Sequence, residues 1–204
     1  LATLIAAISL TSCSDWLDVS PKSQIKEEDH FSREGGYKDQ LTGIYTAMSQ
    51  QAMYGLNMGI GFTEVLSHSY DIDASGSWRY ANEFDYKNSS VESTITTIWQ
   101  QTYNSIANVN ILIHNINEAS PQLFTENHYD TYRGEAYGLR GFLHLDLMRL
   151  FACAPSMDSN AKGVPYVTEY STEVVGQKTV KETMQMVIDD LTKAREYLST
   201  DSLK

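Results

Sequence analysis

The residues best suited to chemistry lie in one polar and aromatic stretch, residues 67–90. A sugar ring offers a flat patch of C–H groups that stacks on an aromatic face, and its hydroxyl groups require planar polar partners. Five side chains of the stretch, two aromatic and three polar, have this chemistry: Trp78, Tyr80, Asp73, Arg79 and Asn82. The stretch therefore predicts a sugar-binding lip. The alternative is a solvated loop with one aromatic ring in the core.

Two other kinds of chemistry can be read from the acids of the same stretch. Asp71-x-Asp73-x-Ser75-Gly76 copies the opening of a calcium loop, but the place of its bidentate acid falls at Asn82, so we expect no metal. Asp71, Asp73 and Asp85 could serve a glycoside hydrolase only if two carboxyl groups faced each other across a sugar bond. Because the sequence has no phosphate loop, Cys/His cluster or nucleophile motif, we expect no cofactor.

Apolar residues at three- and four-residue steps predict a mostly α fold. The longest such patterns cover residues 95–116 and 132–151, and the short connector 119–122 between them indicates an antiparallel pair. A first helix is expected over about 36–53, and a last helix after the capping box at Thr179.

Several residues in the helical patterns carry further predictions. Trp99 is expected in the core, although its place near the start of a helix would also let it face the ligand loop. Arg140 lies in an apolar stripe, so we expect it to pair with Glu135 or another acid. The glycines of the second long helix are tolerable only if another helix approaches closely. These are Gly134, Gly138 and Gly141.

The first residues and the overall charge indicate where the protein works. Residues 1–13 form an apolar run that ends in Leu10-Thr11-Ser12-Cys13, which resembles a bacterial lipobox, so we expect lipid on Cys13 and a membrane anchor. The alternative is a short core helix with a buried thiol. Residues 14–35 are expected to form an extended tail. The net charge of −11 repels phosphate backbones and argues against nucleic acid as a partner.

Four motifs in register carry a family resemblance. They are Trp16-Leu17-Asp18-x-x-Pro21, Trp99-x-x-x-Tyr103-x-x-Ile106-x-Asn108-x-Asn110, Glu135-Ala136-x-x-Leu139-Arg140-x-Phe142-x-x-Leu145 and Gly163-Val164-Pro165-Tyr166. Together they resemble the N-terminal part of the SusD/RagB family of outer-membrane lipoproteins. The resemblance implies a scaffold of tetratricopeptide-like helix pairs with long loops, in which residues 36–204 are the N-terminal helical domain and the C-terminal part of the fold is absent.

The same resemblance implies a function. Family members are not enzymes; they are lids on SusC-type TonB-dependent transporters and help to load oligosaccharides during nutrient uptake. We therefore expect a lipid-anchored, surface-exposed protein of the outer membrane, since Ser14-Asp15 beside Cys13 also resembles the surface-export signal of Bacteroidetes lipoproteins. A helical-repeat scaffold that docks only proteins is the runner-up, and a glycoside hydrolase is a third possibility.

Overall fold

The computed structural model describes residues 26–199. The predictions for residues 1–13, and for the tail before Lys26, lie outside the described residues. Within 26–199 the chain forms seven α-helices and one two-stranded sheet, in the order α1 (Glu27–His30), α2 (Glu34–Met48), α3 (Phe62–Leu66), α4 (Arg79–Asn82), α5 (Ser89–Glu118), α6 (His128–Phe151), β1 (Lys162–Pro165), β2 (Gln177–Thr179) and α7 (Val180–Leu198). None of these helices is long and apolar enough to cross a membrane. The predicted mostly α fold is confirmed.

The hairpin of α5 and α6 is the centre of the fold. Trp99 near the start of α5 contacts Phe151 at the end of α6, and Asn117 near the end of α5 contacts Tyr137 near the start of α6. The two helices therefore run antiparallel, as the sequence predicts. The turn between them is longer than expected, because Pro121 opens a 3-10 turn and α6 begins only at His128.

The glycines of α6 explain how closely α7 packs. A Cβ atom built on Gly134 would lie 2.6 Å from Cγ of Leu198, and one on Gly141 would lie 3.1 Å from Cγ of Leu191. One on Gly138 would lie at an ordinary 3.5 Å from Cβ of Ala194. The predicted close approach of another helix to α6 is confirmed, and the helix is α7.

A buried ion pair joins α6 to α7. The guanidinium group of Arg140 donates two hydrogen bonds to the carboxylate of Asp190, with Nε–Oδ2 at 2.6 Å and Nη2–Oδ1 at 2.8 Å. Tyr166 donates to the same carboxylate, and Asn110 of α5 accepts from Nη1 of Arg140. The prediction that an acid satisfies Arg140 is confirmed. Glu135, the acid first expected, instead accepts from Tyr45.

Two boundaries differ from the sequence expectation. The first long helix, α2, ends at Met48, and the chain continues in turns, although Met53 is still buried in the core. Part of the stretch expected to be extended, residues 14–35, is helical, since α1 forms at Glu27–His30. Three acids in the first turn of α1 favour it, because they complement the positive end of the helix dipole.

Candidate ligand-binding site

The loop between α3 and α5 packs against a second, smaller apolar cluster. The buried members of this cluster are Phe62, Val65, Ala81, Val91 and Ile98. Trp78 is half-buried against it, with its ring centroid 6.3 Å from that of Phe62. A cavity of about 200 Å³ opens beside Trp78, and its other lining residues are Phe62, Ser77, Ala81, Ser90, Val91 and Thr94. The indole therefore anchors the loop and remains partly exposed.

The short helix α4 brings four of the predicted site residues together. Trp78 is its N-cap, and Arg79, Tyr80 and Asn82 lie within it. The guanidinium carbon of Arg79 lies 4.3 Å from the ring centroid of Tyr80, and its Nη1 donates to the carbonyl of Ala74 at 3.1 Å. Because these contacts hold the guanidinium group against its own loop, Arg79 stabilises the conformation of the loop.

Asp73 lies in the turn that leads into α4 and is fully exposed. Its Oδ1 accepts the backbone N–H of Ser75 at 2.7 Å. The hydrogen bonds from the hydroxyl and the backbone of Ser75 lower the pKa of the Asp73 carboxyl. Asp73 is therefore an ionised acceptor at neutral pH, which suits a sugar hydroxyl and is the opposite of what a general acid requires.

Three neighbouring exposed rings lie on the same loop. We call it the aromatic shelf, and it consists of His68, Phe84 and Tyr86. The rings of His68 and Phe84 stack with centroids 5.0 Å apart and planes at 24°, and Phe84 lies 6.3 Å from Tyr86. Phe84 is 46% exposed and Tyr86 is 52% exposed. Both rings are therefore accessible in part to solvent, and an accessible aromatic ring is what a sugar ring requires.

The backbone under the aromatic shelf is held in an uncommon conformation. His68 and Phe84 have positive φ angles of 55° and 56°, in the left-handed region that side-chain-bearing residues seldom adopt. A ring nitrogen of His68 also lies 3.0 Å from the carbonyl of Asn82, which ties the two ends of the loop together. Such conformations persist only where the surrounding structure enforces them, and they are often found at functional sites.

Sequence reasoning did not select the aromatic shelf. The spacing Phe84-Asp85-Tyr86 places two rings in a short polar segment, and this was the only signal available. An apolar cavity of about 310 Å³ adjoins the shelf, and Tyr86 belongs to both. Its other walls come from α3, α5 and α6 and are Phe62, Leu66, Ile95, Ile98, Leu150 and Phe151.

Trp99 lies apart from these groups. Its ring packs edge-on against Phe151 and lies 4.9 Å from Tyr103, beside the main core. The structure therefore favours the core interpretation of Trp99 and does not bring it together with Trp78.

A third cavity, of about 650 Å³, opens near the other end of α5 beside Asn110 and Arg140. The Arg140 guanidinium is committed to Asp190, Asn110 and the carbonyl of Thr168. Every described side-chain nitrogen or oxygen that is fully buried has a hydrogen-bond partner. The polar groups at the base of this cavity therefore hold the helices together, and the aromatic shelf is the stronger candidate for binding.

The described part of the chain contains no group of three His, Cys, Asp or Glu side chains that could hold a metal ion. The loop acids are dispersed along the turn. Asp85 accepts from the backbone N–H of Lys87 at 3.2 Å, and Asp73 accepts from Ser75. Local backbone groups thus account for the positions of both carboxylates.

Antiparallel helix pairs that carry a ring-bearing loop define a helical scaffold protein. Residues 15–204 match the SusD-like family model described as "Starch-binding associating with outer membrane". The chain therefore belongs to the SusD-like family, and the resemblance seen in the sequence is confirmed.

Individual relatives agree with this family. The chain is 23% identical over 197 residues to SusD-like protein P2 of Formosa agariphila and 26% identical over 206 residues to SusD-like protein P38 of the same organism. These alignments cover 96% and 98% of this chain but only 37% of each relative. A solved SusD-like carbohydrate binding protein from Bacteroides vulgatus has a TM-score of 0.69 at 24% identity, over 84% of this chain and 37% of that one. It supports the fold.

Proposed function

We propose that this chain is the N-terminal helical part of a cell-surface lipoprotein that binds oligosaccharides and works with a SusC-type TonB-dependent transporter in nutrient uptake. The observation that carries the proposal is the aromatic shelf, whose exposed rings lie on a braced loop in a member of the SusD-like family. Stacking on Phe84 and Tyr86 would hold the C–H face of a sugar ring.

In this proposal, the residues predicted from the sequence divide into two roles. Asp73 and Asn82 offer polar groups to hydroxyls at the edge of the loop, and Trp78 offers the exposed part of its indole. Arg79 and Tyr80 keep the loop in shape. Trp99 supports the helices that carry the loop, so it contributes to stability more than to ligand affinity.

The location of the protein follows from its first residues. Lipid on Cys13 would hold the protein on the outer membrane, and residues 14–25 would separate the anchor from the helical domain. The family description associates its members with the outer membrane, which supports this proposal. The SusC-type transporter would then receive the oligosaccharide from the exposed loop.

We propose that this binding is not catalytic. A glycoside hydrolase needs one carboxyl whose pKa is raised, so that it can protonate the leaving oxygen. Asp73 has a lowered pKa, and it faces its own turn. Asp73 is therefore unsuited to the role of the general acid, which supports binding without hydrolysis.

Incubation of the full-length natural protein with labelled oligosaccharides tests this function. We expect retention of an intact oligosaccharide by the protein, with no shorter products. Shortened products would show a hydrolase, and no retention of any sugar would favour a scaffold that docks only proteins. Co-purification of a TonB-dependent transporter from outer membranes tests the partner, and its absence would contradict that part of the proposal.

A further inference from the structure

The charges around the aromatic shelf indicate which oligosaccharides it would accept. Phe84 lies directly between Glu83 and Asp85, and both of these acids are exposed. Consecutive Cα atoms are about 3.8 Å apart, so each carboxylate originates within one residue of the stacking ring. A ligand lying on Phe84 therefore approaches a segment that carries two exposed carboxylates.

The cations of the same loop do not balance these acids. Arg79 is held on the carbonyl of Ala74 and on the ring of Tyr80. Lys87 is exposed beside Asp85 and is the second cation of the segment, while Asp71 and Asp73 add two more exposed acids. The loop is thus net negative, as is the whole chain at −11.

We infer that the aromatic shelf takes glycans without anionic groups and discriminates against those that carry uronate, sialate or sulfate. This inference rests on the proposed function and names its ligand class. Two unit charges at a surface attract or repel weakly in water, but several acids act together on each anionic sugar. For a ligand with one anionic group at the shelf, we expect affinity about tenfold lower at low salt than for the neutral equivalent.

The test uses the full-length protein and two matched sets of probes. Neutral hexasaccharides of glucose, mannose, galactose or xylose are compared with hexasaccharides of galacturonate or mannuronate by titration at low and at high salt. We expect a neutral probe to bind best, and we expect added salt to narrow the difference, because screening weakens the repulsion.

A double variant identifies the responsible acids. Glu83→Gln with Asp85→Asn removes two charges and leaves an oxygen that can still accept from the N–H of Lys87. The control, Glu118→Gln with Asp189→Asn, removes the same number of charges elsewhere. Because α5 has 30 residues, Glu118 lies about 45 Å along the helix from Ser89, which adjoins the loop. We expect only the first variant to improve binding of the uronate probe while binding of the neutral probe is kept.

Each result has a distinct meaning. A uronate probe that binds as well as or better than every neutral probe would overturn the inference and leave the proposed function standing. Equal improvement by the control variant would also overturn it, since the effect would then come from net charge alone. Binding of no probe at all would overturn the proposed function, and this inference with it.

Discussion

Replacing Arg140 with leucine should strongly destabilise the helical domain. Arg140 and Asp190 form a bidentate pair whose side chains are only 6% and 5% exposed. The hydrogen bond from Tyr166 and the bond to Asn110 extend this pair to the segment after β1 and to α5. Leucine removes all the guanidinium donors and leaves the Asp190 carboxylate buried with the hydroxyl of Tyr166 as its remaining partner.

The expected size of the effect follows from that orphaned charge. Removing one partner of a buried ion pair costs about 3–5 kcal/mol of unfolding free energy, whereas replacing both partners with apolar residues is often much cheaper. The double variant Arg140→Leu with Asp190→Leu should therefore be more stable than Arg140→Leu alone. The coupling in this double-mutant cycle should be favourable and larger than 1 kcal/mol.

Urea unfolding of the full-length protein, followed by circular dichroism, measures this change. Glu118→Leu is the control, because Glu118 lies 3.8 Å from His114 in a pair whose side chains are 72% and 63% exposed. Exposed pairs contribute about 0–1 kcal/mol, so this variant should unfold almost as the wild type does. Equal midpoints for Arg140→Leu and Glu118→Leu would refute the account of a buried pair.

Three further predictions concern pH, packing and anchoring. Burial lowers the pKa of His144 to about 4. The free energy of unfolding should therefore fall by up to about 3 kcal/mol as pH drops from about 6.5 toward 4. The variant His144→Leu should lose this dependence of stability on pH. In thermal melts, Gly138→Ala should stabilise by up to about 1 kcal/mol, whereas Gly134→Ala should destabilise, because its Cβ would lie 2.6 Å from Leu198; equal shifts would refute the close packing. Cys13→Ala should leave the membrane fraction, because a stable anchor needs acyl chains, and unchanged fractionation would contradict lipidation.

The sign of the pH prediction follows from the hydrogen bonds of His144. Its Nδ1 faces the carbonyl of Arg140 at 2.9 Å, and its Nε2 accepts the backbone N–H of Val167 at 3.0 Å. Neutral histidine with the proton on Nδ1 satisfies both bonds. Protonation of Nε2 would place its N–H opposite the N–H of Val167, so that two donors would face each other. The folded state therefore takes up this proton at a lower pH than the unfolded state does. A wild-type slope equal to that of His144→Leu would contradict this explanation.

Features set by local sequence were predictable. The period of apolar residues located the long helices, and the capping box at Thr179 marked the start of α7. Three glycines in α6 required a close neighbour, and a cation in an apolar stripe required an acid. Each of these arguments uses only residues within a few turns of each other, where helix geometry fixes which side chains share a face.

Features set by tertiary contacts were not predictable in the same way. Asp190 lies fifty residues from Arg140, while Glu135, five residues away, does not share its helix face and bonds Tyr45. The exposure of the rings in the loop could not be predicted from the sequence either. Trp78 turns partly into a cluster built from α3 and α5, and Phe84 is exposed and has a positive φ angle that nothing in its residue type suggests.

The affinity of the full-length protein for its best neutral hexasaccharide, measured by calorimetry before and after Phe84→Ala, tests the central claim most directly. Loss of a stacking ring should cost about 1–3 kcal/mol, so we expect affinity to fall about ten- to a hundredfold. Phe142→Ala is the control. Phe142 lies on α6 and its side chain is also exposed, at 40%, but its ring packs against that of Tyr54. It should bind as the wild type does. Unchanged affinity in Phe84→Ala, with the sugar still bound, would contradict the aromatic shelf as the binding site.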